Sequence, residues 1–255
     1  MGFSFLTSGV YCFNDIMDAP ADKLHPTKKH RPIAMGIVSK QKAVVLMLLL
    51  WTAGFMVLFA ATASWLVTAV AGAYLLLNIA YSVRLKNIAI LDVFIISLGF
   101  VIRLLLGGIS GSVTLSHWIV IMTFLLSLFL AFAKRRDEVL IHNRNGIMAR
   151  SNIDRYNIVF LDAVLPITAS VVIVSYILYT VSEEVMQRFQ NQHLYVTAIF
   201  VIGGIFRYLQ LTLIDSKSGN PTAVLLHDRF IQACLLGWIT TFTVIIYWKD
   251  VMMFN

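Results

Sequence analysis

Seven stretches of this chain, near residues 43–63, 65–82, 90–109, 117–133, 157–180, 194–211 and 230–248, are apolar with almost no interruption by charge. A helix needs about 20 such residues to cross roughly 30 Å of hydrocarbon. Inside lipid a segment must also satisfy its backbone N–H and C=O groups by itself, which these lengths allow only as helices. An eighth apolar stretch, 1–13, is too short to span alone unless its helix continues into the polar residues after it, and it reads as the inner half of a helix. The expected fold class is therefore all-α, a polytopic integral membrane helical bundle with about eight spans here, in a single domain over 1–255.

Composition removes the main rival class. Only 13% of the 255 residues are charged and 59% are hydrophobic, against roughly a quarter charged in a soluble domain. The formal charge of +7 would suit nucleic acid if the basic residues shared one solvated patch. They punctuate apolar runs instead, so no nucleic-acid partner is expected. Cys12 and Cys234 lack metal-site or redox spacing and read as small buried hydrophobes. Residues 1–13 lack the basic opening and small-residue cleavage site of a signal peptide.

The basic residues orient the bundle. Short cytoplasmic loops carry an excess of Lys and Arg, and alternate connections 14–42, 83–91, 134–156 and 212–229 hold 16 of the 20. Those four loops are expected to face the cytoplasm from the cell (inner) membrane. Asp15, Asp18, Asp22, Asp92, Asp137, Glu138, Asp154, Asp215 and Asp228 fall in or beside the same loops. Orientation is insensitive to acids, whereas a site for a divalent cation and phosphates needs both signs, so these loops read as one active-site face.

Within it, Asn14, Asp15, Asp18 and Asp22 form an N-D-x-x-D-x-x-x-D pattern. Spacings of three, four and seven put carboxylates along one helical stripe, where they would repel without a cation. Mg²⁺ suits such a stripe, since it takes one or two carboxylates and shares itself with substrate phosphates. Pro20 tends to kink or end a helix and is expected to move Asp22 off the stripe, leaving Asp15 and Asp18 as core ligands. The loop His25-Pro26-Thr27-Lys28-Lys29-His30-Arg31-Pro32 follows, with Lys28, Lys29 and Arg31 suited to phosphate. A second mixed cluster, Lys134-Arg135-Arg136-Asp137-Glu138, is read as lying just past a span, and Asp92 stands at the start of another. Arg103 and Arg207 lie within apolar runs, where an unpaired charge costs at least ~2.5–3.5 kcal/mol. Arg207 is near a span end and can snorkel. Arg103 is deeper and is the better candidate for a cavity-facing phosphate or carboxylate partner.

The aspartate pattern, with Tyr81, Lys86 and Asp92 in Y-S-V-R-L-K-N-I-A-I-L-D, resembles the UbiA superfamily of membrane polyprenyl transferases. The segments D-K-L-H-P-T-K-K-H-R-P-I-A, I-R-L-L-L-G-G, K-R-x-x-E at 134–138, R-Y at 207–208 and D-R-F-I-Q at 228–232 resemble its decaprenyl-phosphate 5-phosphoribosyltransferase branch. The resemblance covers about residues 5–240. It implies a nine-helix bundle whose first helix, with a basic entrance, is missing here. It also implies Mg²⁺ at the cytoplasmic face and transfer of phosphoribose from phosphoribosyl diphosphate (PRPP) to a polyprenyl phosphate, for cell-envelope glycan precursors. By resemblance, Asp15, Asp18 and Asp22 take the metal and diphosphate and Lys28, Lys29 and Arg31 hold phosphates. Glu138, implied to be catalytic together with the three aspartates, and Asp228 complete the pocket, with Asn14, Tyr81, Lys86, Asp92, Arg103, Lys134, Arg135, Arg207 and Arg229 as further substrate contacts. Arg136 stands where the branch pattern implies tyrosine.

Partners implied are the two substrates and membrane lipid, with a homo-oligomer left open. Two rival functions use the same residues differently. Transfer of a prenyl group from its diphosphate to an aromatic acceptor, of a quinone or haem pathway, needs the same metal cluster. An inert scaffold would use the charged face to bind lipid or a partner, and a transporter would place its ionisable residues near the bilayer midplane, which only Arg103 approaches.

Overall fold

The computed structural model describes residues 1–23, 28–145, 153–216 and 219–252, with side chains left out at 28, 144–145 and 248–252. The chain divides into two compact units, the first over 1–115 and 147–152 and the second over 116–146 and 153–255. Every regular element among the described residues is helical, and seven helices are long and apolar enough to cross a membrane.

The first unit holds α1 (Gly2–Asp22), α2 (Lys40–Thr62), α3 (Trp65–Val83) and α4 (Leu91–Ser110). Ser39 and Ser64 cap α2 and α3, accepting from the N–H groups of Lys42 at 3.3 Å and Val67 at 3.4 Å, which satisfies donors that a helix start leaves open. Ala63, in the left-handed conformation at φ 47°, closes α2 and lets the chain reverse within two residues. Leu6, Leu58, Val67, Ala71 and Leu106 form the buried core of the unit. Helices in lipid gain little from apolar contact alone and associate through close packing at small residues. α1 and α2 do so at Gly2 and Gly54, where a Cβ on Gly2 would meet the Gly54 carbonyl oxygen at 2.9 Å.

In α1 the helix does not stop with the apolar run. It passes Asn14 and reaches Asp22, 21 residues in all, with Pro20 inside its last turn. Pro20 removes one backbone donor but lies too close to the end to break the helix, so the expected displacement of Asp22 does not occur. At about 1.5 Å per residue α1 is roughly 30 Å long, and it accounts for the eighth apolar stretch.

The second unit holds α5 (His117–Asn145), α6 (Ile158–Thr180), α7 (Glu183–Phe189), α8 (Ala198–Leu213), α9 (Pro221–His227) and α10 (Arg229–Met252). Asn157 caps α6 through the Phe160 N–H at 2.7 Å, and Asn220 followed by Pro221 starts α9. Phe129 on α5 meets Tyr208 on α8 edge-on, with ring centres 5.5 Å apart. Tyr176 on α6 links Thr197 at 2.7 Å and the indole N–H of Trp238 on α10 at 2.5 Å.

One sequence expectation changes here. Lys134 to Glu138 do not begin a loop but continue α5, which runs to Asn145. Hydropathy marks where the lipid-matched surface ends. The helix continues through Arg135 and Glu138, which stand three apart and pair with each other.

Candidate functional site

The polar end of the first unit is built from the last turns of α1, the 3-10 turns Lys28–His30 and Leu85–Asn87, and the start of α4. Nη1 of Arg31 donates to Oδ1 of Asp15 at 2.8 Å and to Oδ2 of Asp22 at 2.9 Å. Those aspartates are seven residues apart, two helical turns on one stripe, so their carboxylates converge on one cationic nitrogen. Asp22 is nearly buried, with 5% of its side chain exposed, and Asp15 is 30% exposed.

Asp18, between them in sequence, turns to a different cation and pairs with Nζ of Lys86. Asn14 accepts from the Ser82 hydroxyl, which also has the Asn78 carbonyl oxygen within 2.9 Å. Asp92 is fully buried in the first turn of α4, where the helix dipole favours a carboxylate. Lys29 is exposed. His25, Pro26, Thr27 and the side chain of Lys28 lie outside the described residues.

Deeper in the unit, Tyr11, Tyr74, Asn78, Tyr81, Phe100 and Arg103 line a cavity of about 210 Å³. Arg103 donates to the Tyr74 hydroxyl from Nη2 at 2.6 Å and Nε at 3.2 Å. Its guanidinium also lies over the rings of Tyr74 and Phe100, at 5.3 and 5.4 Å. The expected deep arginine is thus cavity-facing, but its partner in the fold is a phenol rather than a carboxylate. A tyrosine gives a guanidinium both an acceptor and a π-face, which lowers the penalty of a charge inside a span.

The second unit carries its own charged cluster. Arg135 is fully buried and pairs with Glu138. Asp137 is buried beside Gly219, where a Cβ would stand 3.1 Å from its Oδ2. Arg136 is buried and donates from Nε to Asp162 at 2.6 Å, from Nη1 to the Thr212 carbonyl at 2.6 Å and from Nη2 to the Leu213 carbonyl at 3.3 Å. It therefore ties α5 to α6 and closes carbonyls that the end of α8 leaves open, a structural job that accounts for a cation at this position. Arg207 pairs with Asp228 and donates to Gln210 at 2.8 Å. With Asp215 and His227 the pair lines an open cavity of about 380 Å³. Lys134 and Arg229 are exposed.

Sequence reading missed Tyr74, Ser82, Asp162 and Gln210. An arginine inside an apolar helix does signal that a polar partner exists, but not which residue supplies it. Among the described residues no three carboxylate, histidine or cysteine side chains gather as a preformed metal cage. The donor chemistry nonetheless fits Mg²⁺: two hard oxygen donors converge on a point that already holds positive charge, and Mg²⁺ needs only one or two carboxylates when phosphates supply the rest.

Residues 1–235 match the family model described as the UbiA prenyltransferase family. The chain is 33% identical over 257 residues to the decaprenyl-phosphate phosphoribosyltransferase of Mycolicibacterium smegmatis, covering 97% of this chain and 79% of that protein. It is 29% identical over 246 residues to the protein of the same name from Corynebacterium glutamicum, covering 96% and 74%. Its fold is similar to a UbiA homologue from Archaeoglobus fulgidus solved with GPP and Mg²⁺, with a TM-score of 0.69, 16% identity, and coverage of 96% of this chain and 85% of that one.

Proposed function

The chain belongs to the UbiA prenyltransferase family and is a multi-pass membrane transferase, and from that premise we propose that it moves phosphoribose from PRPP to a polyprenyl phosphate at the cytoplasmic face, with Mg²⁺. The observation that carries the choice of donor is the similarity to two phosphoribosyltransferases over almost the whole chain. The two compact units are read as parts of one transferase domain.

In this reading Asp15, Asp18 and Asp22 hold the metal, as the convergence of two of them on one cation supports. Bound there, Mg²⁺ would neutralise charge developing on the departing diphosphate. Arg31 and Lys86, with Lys28 and Lys29, hold phosphate oxygens, Arg31 as a fork and the lysines as point charges. The acceptor's phosphate oxygen forms a bond to the anomeric carbon of ribose as the bond from that carbon to diphosphate breaks. The acceptor phosphate arrives already ionised, so no side chain must remove a proton, and positioning replaces general-base chemistry. Asn14, Tyr81, Asp92 and Arg103, and in the second unit Lys134, Arg135, Glu138, Arg207, Asp228 and Arg229, are assigned to substrate contact on the family resemblance.

Labelled PRPP and polyprenyl phosphate supplied to membranes containing the protein test the reading. Label should enter the lipid with the wild type and fail to enter with Asp18→Asn. Turnover of a prenyl diphosphate onto an aromatic acceptor, with none of PRPP, would replace it by the prenyl-transfer function. Sidedness is checked with Lys29→Cys, which an impermeant thiol reagent should label in inside-out but not right-side-out vesicles.

A further inference from the structure

The three aspartates of α1 are each already paired with a cation. Arg31 sits at the point where Asp15 and Asp22 converge, and Lys86 sits on Asp18. A divalent ion between Asp15 and Asp22 needs the position that Nη1 of Arg31 occupies, so the two exclude each other. Arg31 and Lys86 are also the groups best suited to a diphosphate, and both keep part of their side chains exposed, 38% and 24%, so phosphate can reach them. Two exchanges follow from the charges. A metal arriving alone must displace a resident cation from its carboxylates. A diphosphate arriving alone must approach three carboxylates.

We propose that Arg31 and Lys86 are resident counter-cations that keep the aspartates closed to metal until a diphosphate draws them off, so that Mg²⁺ and diphosphate bind cooperatively. The proposal rests on the assignment of Mg²⁺ and diphosphate to this face and adds how the two ligands are coupled. Each ligand removes the obstacle to the other: diphosphate takes the guanidinium and ammonium, and the freed carboxylates take the metal. Coupling of this kind is reciprocal and is commonly about 5–150-fold in affinity. It also orders the end of the cycle, because departure of diphosphate returns Arg31 and Lys86 to the aspartates and expels the metal with it.

The test is calorimetric titration of the detergent-solubilised full chain with Mg²⁺, alone and with inorganic pyrophosphate, for the wild type, Lys86→Gln, Arg31→Gln and Lys40→Gln. For the wild type, saturating pyrophosphate should raise Mg²⁺ affinity at least ~10-fold after correction for the complex in solution. Without pyrophosphate, Lys86→Gln and Arg31→Gln should bind Mg²⁺ ~10-fold tighter than the wild type and bind pyrophosphate more weakly. Lys40→Gln removes an exposed charge at the start of α2 that has no ion pair to the aspartates among the described residues, and should change Mg²⁺ affinity less than ~2-fold. Unchanged or weaker metal binding by Lys86→Gln overturns the proposal. That variant carries the test if Arg31→Gln does not fold, since Asp18 is 35% exposed whereas Asp22 is buried. A wild type without Mg²⁺ binding, with or without pyrophosphate, overturns it as well. Coupled Mg²⁺ and pyrophosphate binding without transfer from PRPP supports it and removes only the donor assignment.

Discussion

The guanidinium of Arg207 donates twice to one oxygen of Asp228, from Nε at 3.0 Å and Nη2 at 2.8 Å, while the other Asp228 oxygen accepts the N–H of Ile231 at 2.9 Å. One carboxylate thus caps the start of α10 and anchors an arginine from α8.

The pair makes stability depend on pH in a defined direction. Arg207 beside it, helped by the backbone N–H groups of Ile231 and Phe230, holds the Asp228 carboxyl below its ordinary range against the opposing effect of burial. The folded chain therefore binds that proton less readily than the unfolded one. The contribution is complete above the ordinary carboxylate value of about 3.9 and is lost as pH falls from there through the lowered value. Thermal melts of the detergent-solubilised protein should lose this increment below about pH 4 in the wild type and lack it in Asp228→Asn. Asparagine still caps a helix, so Asp228→Ala should lose about 1 kcal/mol more than Asp228→Asn at pH 7.

Arg136 gives a second prediction. Arg136→Met leaves the Asp162 carboxylate and the carbonyls of Thr212 and Leu213 without their donor. The buried Thr212 carbonyl left so costs about 1–3 kcal/mol, Asp162, with 40% of its side chain exposed, costs less, and the melting temperature should fall accordingly. Arg136→Lys keeps the charge but not the planar fork and should fall between the two.

In the first unit, a Cβ at Gly54 would stand 2.7 Å from Leu6 Cγ and 3.0 Å from the Gly2 carbonyl oxygen. Gly54→Val should destabilise the unit by about 1–3 kcal/mol through overpacking. Gly72, whose Cβ would meet nothing within 4 Å, is the matched control, and Gly72→Ala should melt at or above the wild-type temperature because alanine favours the helix.

Tyr74 is almost fully buried and is the hydrogen-bond acceptor of Arg103. Tyr74→Phe keeps the ring beneath the guanidinium and removes only the acceptor, so it should cost about 1–3 kcal/mol. In a double-mutant cycle with Arg103→Leu, the two changes should be strongly non-additive. Additive losses would show that the contact contributes nothing.

Most of the membrane architecture was legible in the residues alone, since hydrocarbon requires every span to be a continuous apolar helix and that property is written in one dimension. The aspartate stripe was legible for the same reason: spacings of three, four and seven have meaning on any helix. Local pattern failed where an end had to be judged. Pro20 suggested a break before Asp22, and the charges at 134–138 suggested the end of α5, whereas both helices continue.

The tertiary structure alone decided the pairings. Arg31 reaches back 9 and 16 residues to two aspartates, Lys86 reaches 68 to a third, and Arg136 reaches 76 and 77 to the end of α8. Charge type tells that such groups need partners, but the partner is set by which helix faces meet, a consequence of close packing at small residues far along the chain. Hence a stripe that sequence presents as three repelling carboxylates proves in the fold to be held by its own cations.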